Sequence, residues 1–114
     1  MTIAVETQEW LTVPDLVELF DTSPSRVRKL FQERTLLAAR IDGVLKVPAV
    51  FIRDAAPLPE LQGTAVLLAD CGFSDEAALE WLLSPEESLG TTPIAALLAG
   101  RKAEVRRVAQ ALAY

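Results

Sequence analysis

A chain of 114 residues that is 51% apolar, with a formal net charge of −5, is long enough to bury a core without covalent staples and too apolar for wholesale disorder. One cysteine and no histidine exclude a disulfide framework and remove the usual zinc ligands, so Cys71 is expected as a small buried hydrophobe near a helix end. No apolar run reaches about 18 residues, and MTIAVETQ lacks the basic-then-apolar order of a secretory leader, so membrane insertion and export are not expected.

Residues 1–9 show no sustained periodicity and are expected as a flexible arm. Two roles fit Thr7, which lies between Glu6 and Glu9: a solvated tail residue, or a regulatory phosphorylation site where a phosphate adds roughly −1.5 to −2 charge. Trp10 is expected to pack against the first helix. That helix begins with Thr12 as N-cap and Asp15 closing a capping box, with Leu11 stapling onto Leu16. Val13, Leu16, Leu19 and Phe20 supply its predicted buried stripe.

Asp21, Thr22 and Ser23 form a tight turn, after which Ser23 caps a second helix and Pro24 sits at its first position. Val27, Leu30 and Phe31 make the apolar face of that helix. Ser25, Arg28, Lys29 and Gln32 point the other way, Arg26 lies at the flank, and Arg34 follows. A helix with long donor-bearing side chains can read base edges in a major groove, and phosphates seek cations and helix N-terminal amides. An ordinary helical hairpin with a solvated basic face fits the same two helices.

Leu37 to Ile41 and Val44 to Val47 flank Asp42-Gly43, a pair suited to a two-residue type I′ turn, so a β-hairpin is expected. Arg40 and Lys46 lie near its tip on opposing strands, placed to straddle a phosphate backbone. A hairpin here is either a wing that grips DNA or a closure of the core, and the two roles are compatible. Pro48 is expected to open a short helical segment over Ala49 to Arg53, with Val50 and Phe51 covering the first two helices.

Charge follows this division. Residues 1–25 carry five acids and no bases, residues 26–53 carry seven bases against two acids, and residues 54–114 carry four bases against nine acids. Positive charge is thus concentrated in the second helix and the hairpin, where a local field outweighs the total.

AAPLP, residues 55–59, reads as a linker. A helix from Leu61 to Asp70 follows, with Leu61, Ala65 and Leu68 on one face and Gly63 weakening its first turn. Ser74 caps another helix with Ala78, Trp81 and Leu82 as its stripe, and its first-turn acids Asp75 and Glu76 suit the helix dipole. Thr92 and Pro93 start a short helix ended by Gly100. Arg101 to Leu112 forms the last, with Val105, Val108, Ala109 and Leu112 inward. Arg101, Lys102, Arg106 and Arg107 are either a second phosphate-facing patch or a solvated face. The expected organisation is a winged helix-turn-helix over 10–54 and a helical unit over 60–114, mainly α with a small β wing.

The order LTVPDLVELF, TSPSRVRKLFQE, LLAARIDGVLKVP resembles the winged helix-turn-helix domains of the excisionase and MerR-like class. Together with LPELQGTAVLLADCGFSDEAALEWLL and LGTTPIAALLAGRKAEVRRVAQAL, the whole chain resembles a family of small actinobacterial winged helix-turn-helix proteins that are serine/threonine-kinase substrates. The resemblance implies that Pro24 to Arg34 is a recognition helix, that Leu37 to Val47 is a wing and that Thr7 is phosphorylated by a serine/threonine protein kinase. TPIAALLAGRKAEVRRVAQAL is also similar to the protein-binding C-terminal part of a class of bacterial antitoxins.

Enzymatic activity is not expected. No histidine or GxxxxGK[ST] loop occurs, the carboxylates fall in helix first turns and loops, and no cofactor is implied. Two functions stand against each other. One is a cytoplasmic, nucleoid-associated regulator of transcription that binds double-stranded DNA, singly or as a homodimer. The other is an antitoxin-like or phosphorylation-dependent protein-interaction module on the same scaffold.

Overall fold

Residues 9–112 are described by a computed structural model. Trp10–Thr12 form a strand, β1, and Val13–Phe20 the first helix, α1. The boundary between them is set by the capping box. Asp15 N–H donates to the Thr12 hydroxyl at 3.3 Å and Thr12 N–H donates to Asp15 Oδ2 at 2.9 Å. Val13, Leu16, Val17 and Phe20 form the inward stripe, with Leu16 fully buried. Leu19, expected on that stripe, is exposed. At 100° per residue it stands about 120° round the helix from Val13, and Val17 takes its place.

Asp21 ends α1 in the left-handed conformation, φ 52°, which a short polar side chain tolerates. The second helix, α2, is Pro24–Gln32; Val27 anchors it in the core, with Leu30 and Phe31 half-buried beside it. The chain then returns through buried Leu36 and Leu37 into β2, Ala39–Ile41, and β3, Val44–Pro48. Asp42 and Gly43 have φ of 54° and 78°, the double positive φ that a type I′ turn requires, and Ile41 faces Val44 as the closing pair. β1 completes an antiparallel sheet of order β1-β3-β2 with Leu11 opposite Val47. Trp10 and Leu11 therefore contribute to a strand, where the sequence pattern assigned them only to packing against α1.

The segment after Pro48 is shorter in its helical part than expected. Ala49–Phe51 make one 3-10 turn, and Ile52–Arg53 (β4) pair with Ala56–Pro57 (β5) across a turn at Asp54 and Ala55. Phe51 is fully buried, whereas Val50 is exposed. The AAPLP stretch carries half of this hairpin and ends on buried Leu58.

Four helices follow: α3 (Pro59–Asp70), α4 (Asp75–Leu83), α5 (Pro93–Leu98) and α6 (Lys102–Gln110). Ser74 caps α4 and Thr92 caps α5, each accepting the amide three residues on, at 3.1 and 3.2 Å. Trp81 is half-buried at the rim of α4 and donates its indole N–H to Glu86 Oε2 at 3.3 Å, while Leu79 and Leu83 join Ala78 and Leu82 inside. Val105 and Ala109 are the buried residues of α6. Cys71 is half-buried, its Sγ 3.8 Å from the carbonyl oxygen of Ala109. One cluster of buried side chains runs from Leu16 and Val27 through Phe51 and Leu58 to Val105 and Ala109, so both parts of the chain share a core.

Candidate nucleic-acid interface

The basic face of α2 is held out by a small amount of local chemistry. Ser23, extended at φ −112° and ψ 158°, accepts the Arg26 amide on its hydroxyl at 3.3 Å, and Pro24 opens the helix without a wasted donor. Val27 is fully buried, and the helical period then turns Arg28 and Lys29 outward. Ser25, Arg26, Arg28, Lys29 and Gln32 are all exposed, and the Ser25 hydroxyl lies 3.2 Å from that of Ser23. Arg26 and Lys29, about one turn apart, border a shallow depression of about 240 Å³ with Leu30 and Glu33.

Among the described residues the ion pairs are Arg34–Asp75, Arg53–Glu60 and Arg101–Glu104. Arg26, Arg28, Lys29, Arg40 and Lys46 take part in none of them. An unpaired cation keeps its field for an incoming anion and displaces no protein partner on binding.

Arg34 stands apart from the other basic residues. It lies beyond the end of α2 with φ 57°, and its Nε is 3.3 Å from Asp75 Oδ1 in α4, a charge contact without the alignment of a hydrogen bond. The structure thus ends the helix at Gln32 and turns Arg34 toward the C-terminal helices.

On the hairpin, Arg40 is exposed and its Nη1 donates to the Gly43 carbonyl at 3.4 Å, folding the side chain over the turn. Arg40 pairs with Leu45, and Lys46 pairs with Ala39. Because side chains alternate along a strand, Arg40 and Lys46 project from opposite faces of the hairpin. They flank it on its two sides; Lys46 is the more buried of the two.

The C-terminal helices brace these elements. Arg40 N–H donates to Glu76 Oε1 at 3.2 Å, Gln62 Nε2 donates to the Glu33 carbonyl at 3.1 Å, and Asp75 meets Arg34. In the sequence Asp75 and Glu76 carry only a helix-dipole signal; nothing local marks Glu76 as the partner of a hairpin residue 36 positions earlier, or Asp75 as the partner of Arg34 beyond the end of α2. Two of the four C-terminal bases are also engaged within the protein. Arg101 holds Glu104 at 2.8 Å and the Leu89 carbonyl at 3.0 Å, and the Arg106 guanidinium lies across Gly63 of α3. Lys102 and Arg107 are exposed.

No helix among the described residues is long and apolar enough to cross a membrane, and their Cys, Asp and Glu side chains form no metal-holding group. A capped helix pair, an exposed basic second helix and a hairpin behind it define a winged helix-turn-helix protein, here with four helices appended. Residues 3–52 match the family described as the winged helix-turn-helix domain of DNA-binding protein Rv2175c, and residues 58–113 match the Rv2175c C-terminal domain of unknown function. The chain is 32% identical over 115 residues to the DNA-binding protein Rv2175c of Mycobacterium tuberculosis, covering 90% of this chain and 79% of that protein. The NMR structure of Rv2175c superposes with a TM-score of 0.87 at 28% identity, covering all of this chain and 87% of the other. The chain belongs to the Rv2175c family.

Proposed function

We propose that the protein binds double-stranded DNA and regulates transcription, with α2 in the major groove and the β2–β3 hairpin against the adjacent backbone. The observation that carries this is the exposed arc of Arg26, Lys29 and Arg28 on the side of α2 away from buried Val27, none of them in an ion pair among the described residues. Ser25 and Gln32 stand on the same helix as hydrogen-bonding groups for phosphate or base edges, and Arg40 and Lys46 supply charge on either side of the wing. Arg34 acts differently, holding the end of α2 against α4. The relative's name, a DNA-binding protein, agrees with this assignment. Residues 10–54 are the reading unit and residues 60–114 its brace.

Counterion release gives the test. Three phosphates met by the α2 cations correspond to a slope of log affinity on log salt of about −2.7, and engagement of Arg40 and Lys46 as well takes it to about −4.5. A fluorescence-anisotropy titration on mixed duplex fragments at several salt concentrations reads this directly; a flat profile rules the interface out. Thr7 lies outside the described residues. Phosphorylation there by a serine/threonine kinase, implied by the family resemblance, adds negative charge to an already acidic N-terminal stretch and lowers DNA affinity. If the protein works as a homodimer on a two-fold site, the pair meets elsewhere than through Val105 and Ala109, which are buried inside the monomer.

A further inference from the structure

The two edges of the β1-β3-β2 sheet are treated differently. At β2 the outward N–H of Arg40 is taken by Glu76, and α4 lies against the strand. At β1 no strand among the described residues pairs with the outer side. The direction of its hydrogen-bonding groups follows from the register. Glu9 C=O accepts Ala49 N–H at 2.8 Å, so in an antiparallel ladder the Glu9–Ala49 and Leu11–Val47 pairs bond inward. Trp10, opposite Pro48, then turns its N–H and C=O outward. Thr12 follows the same alternation, and its outward N–H is already met by Asp15 Oδ2 at 2.9 Å.

Along this edge runs an open groove of about 470 Å³ between β1 and α1, lined by Glu9, Trp10, Leu11, Asp15, Glu18 and Leu19. Its apolar part includes Leu19, 43% exposed at a position that helical packing leaves outside the core. Its ionisable part is wholly acidic, and no base lines it. Residues 9–25 contain four acids and no base, so the surroundings in sequence do not offset that charge.

We infer that the outer edge of β1, unpaired by any strand among the described residues, and its acidic groove dock an extended, basic segment of another protein by strand addition. The incoming backbone pairs with the outward N–H and C=O of Trp10, its alternate apolar side chains lie on Leu19 and Leu11, and its Lys or Arg side chains meet Glu9 and Glu18. A second copy pairing β1 with β1 brings Glu9 and Glu18 toward their own equivalents, and like charges across an edge discourage that arrangement. This site is independent of the DNA assignment and uses none of the α2 or hairpin cations.

The probe is a fluorescein-labelled peptide of alternating Lys and Val, about six residues long, a usual strand length. It is titrated into the full chain while the Trp10 amide is followed by NMR. Saturable binding with the Trp10 amide among the largest shifts is expected, and the combined substitution Glu9→Lys and Glu18→Lys should weaken it by about tenfold or more. Glu87→Lys, an exposed acid outside the groove, should leave it within about twofold and so controls for net charge. A peptide with proline at alternate positions should lose binding, because it lacks the amide hydrogens that strand addition uses. The inference is overturned by no saturation, by equal loss in Glu87→Lys and the groove variant, or by proline-insensitive binding. Trp10 shifts that depend on protein concentration without peptide overturn it in favour of a second copy. The Lys29→Ala variant should bind the peptide normally even where it fails on DNA, which separates the two sites.

Discussion

Gly63 shows how strongly α3 and α6 are coupled, and its replacement by alanine gives a signed expectation. A Cβ at this position would fall inside the guanidinium of Arg106, with Cζ only 2.9 Å away and Nε at 3.6 Å. In an open helix the change to alanine stabilises by about 1 kcal/mol through backbone entropy and propensity. Here it must first displace Arg106, a flexible side chain whose stem covers α3 and whose Nε is buried without an acceptor among the described residues. Moving the guanidinium to water relieves that donor but strips methylene contacts from the α3–α6 seam, so in the parent the net effect of Gly63→Ala should be within about 0.5 kcal/mol of zero. With Arg106→Ala the obstruction is gone, and Gly63→Ala should then stabilise by the full amount, about 1 kcal/mol or ~4 °C in Tm for a domain of this size. Urea unfolding of the four proteins in this double-mutant cycle should give a coupling of about 0.5 kcal/mol or more. Equal effects of Gly63→Ala in both backgrounds would refute the contact.

Ser23→Ala removes the cap that starts α2 and should cost about 1 kcal/mol, read by chemical denaturation, while weakening DNA binding more than a substitution at exposed Pro85. The backbone and side-chain contacts of Thr12 hold the Asp15 carboxyl below the usual carboxylate range. Its folded value lies below its unfolded one, so its contribution is present above about pH 4 and is lost as pH falls through the depressed folded value. Asp15→Asn should therefore flatten part of the acid limb of a stability-against-pH curve and leave the curve above pH 7 parallel to the parent's.

Where structure depended on residues within a few positions of each other, the sequence carried it. Thr12 with Asp15, Ser23 with Pro24, Ser74, and Thr92 with Pro93 each start a helix through a hydroxyl and an amide three residues on, and Asp42-Gly43 fixes a hairpin through its own φ angles. The exposed basic face of α2 was legible for the same reason, since period alone separates Val27 from Arg28 and Lys29. What escaped was set by distant partners. β1 is only Trp10–Thr12, too short for an alternating signal, and it exists because β3 offers an edge. The β4–β5 turn is Asp54-Ala55, a pair with no glycine to announce two positive φ angles. Arg34 and Arg106 read as free cations in a basic stretch, yet Asp75 and the surface at Gly63 hold them inside the molecule. Leu19 lay one residue from a stripe that Val17 completes better.

The exposed face of α2 is tested most directly by comparing the parent with Lys29→Ala in anisotropy titrations against duplex DNA, at about 50 mM and about 150 mM salt. The parent should bind with marked salt sensitivity. Lys29→Ala should bind about tenfold more weakly, with its salt slope reduced by about 0.9 for the phosphate no longer neutralised. Equal affinity and equal slope for the two proteins would place the DNA contact, if any, on another face and contradict the assignment of α2 as the reading helix.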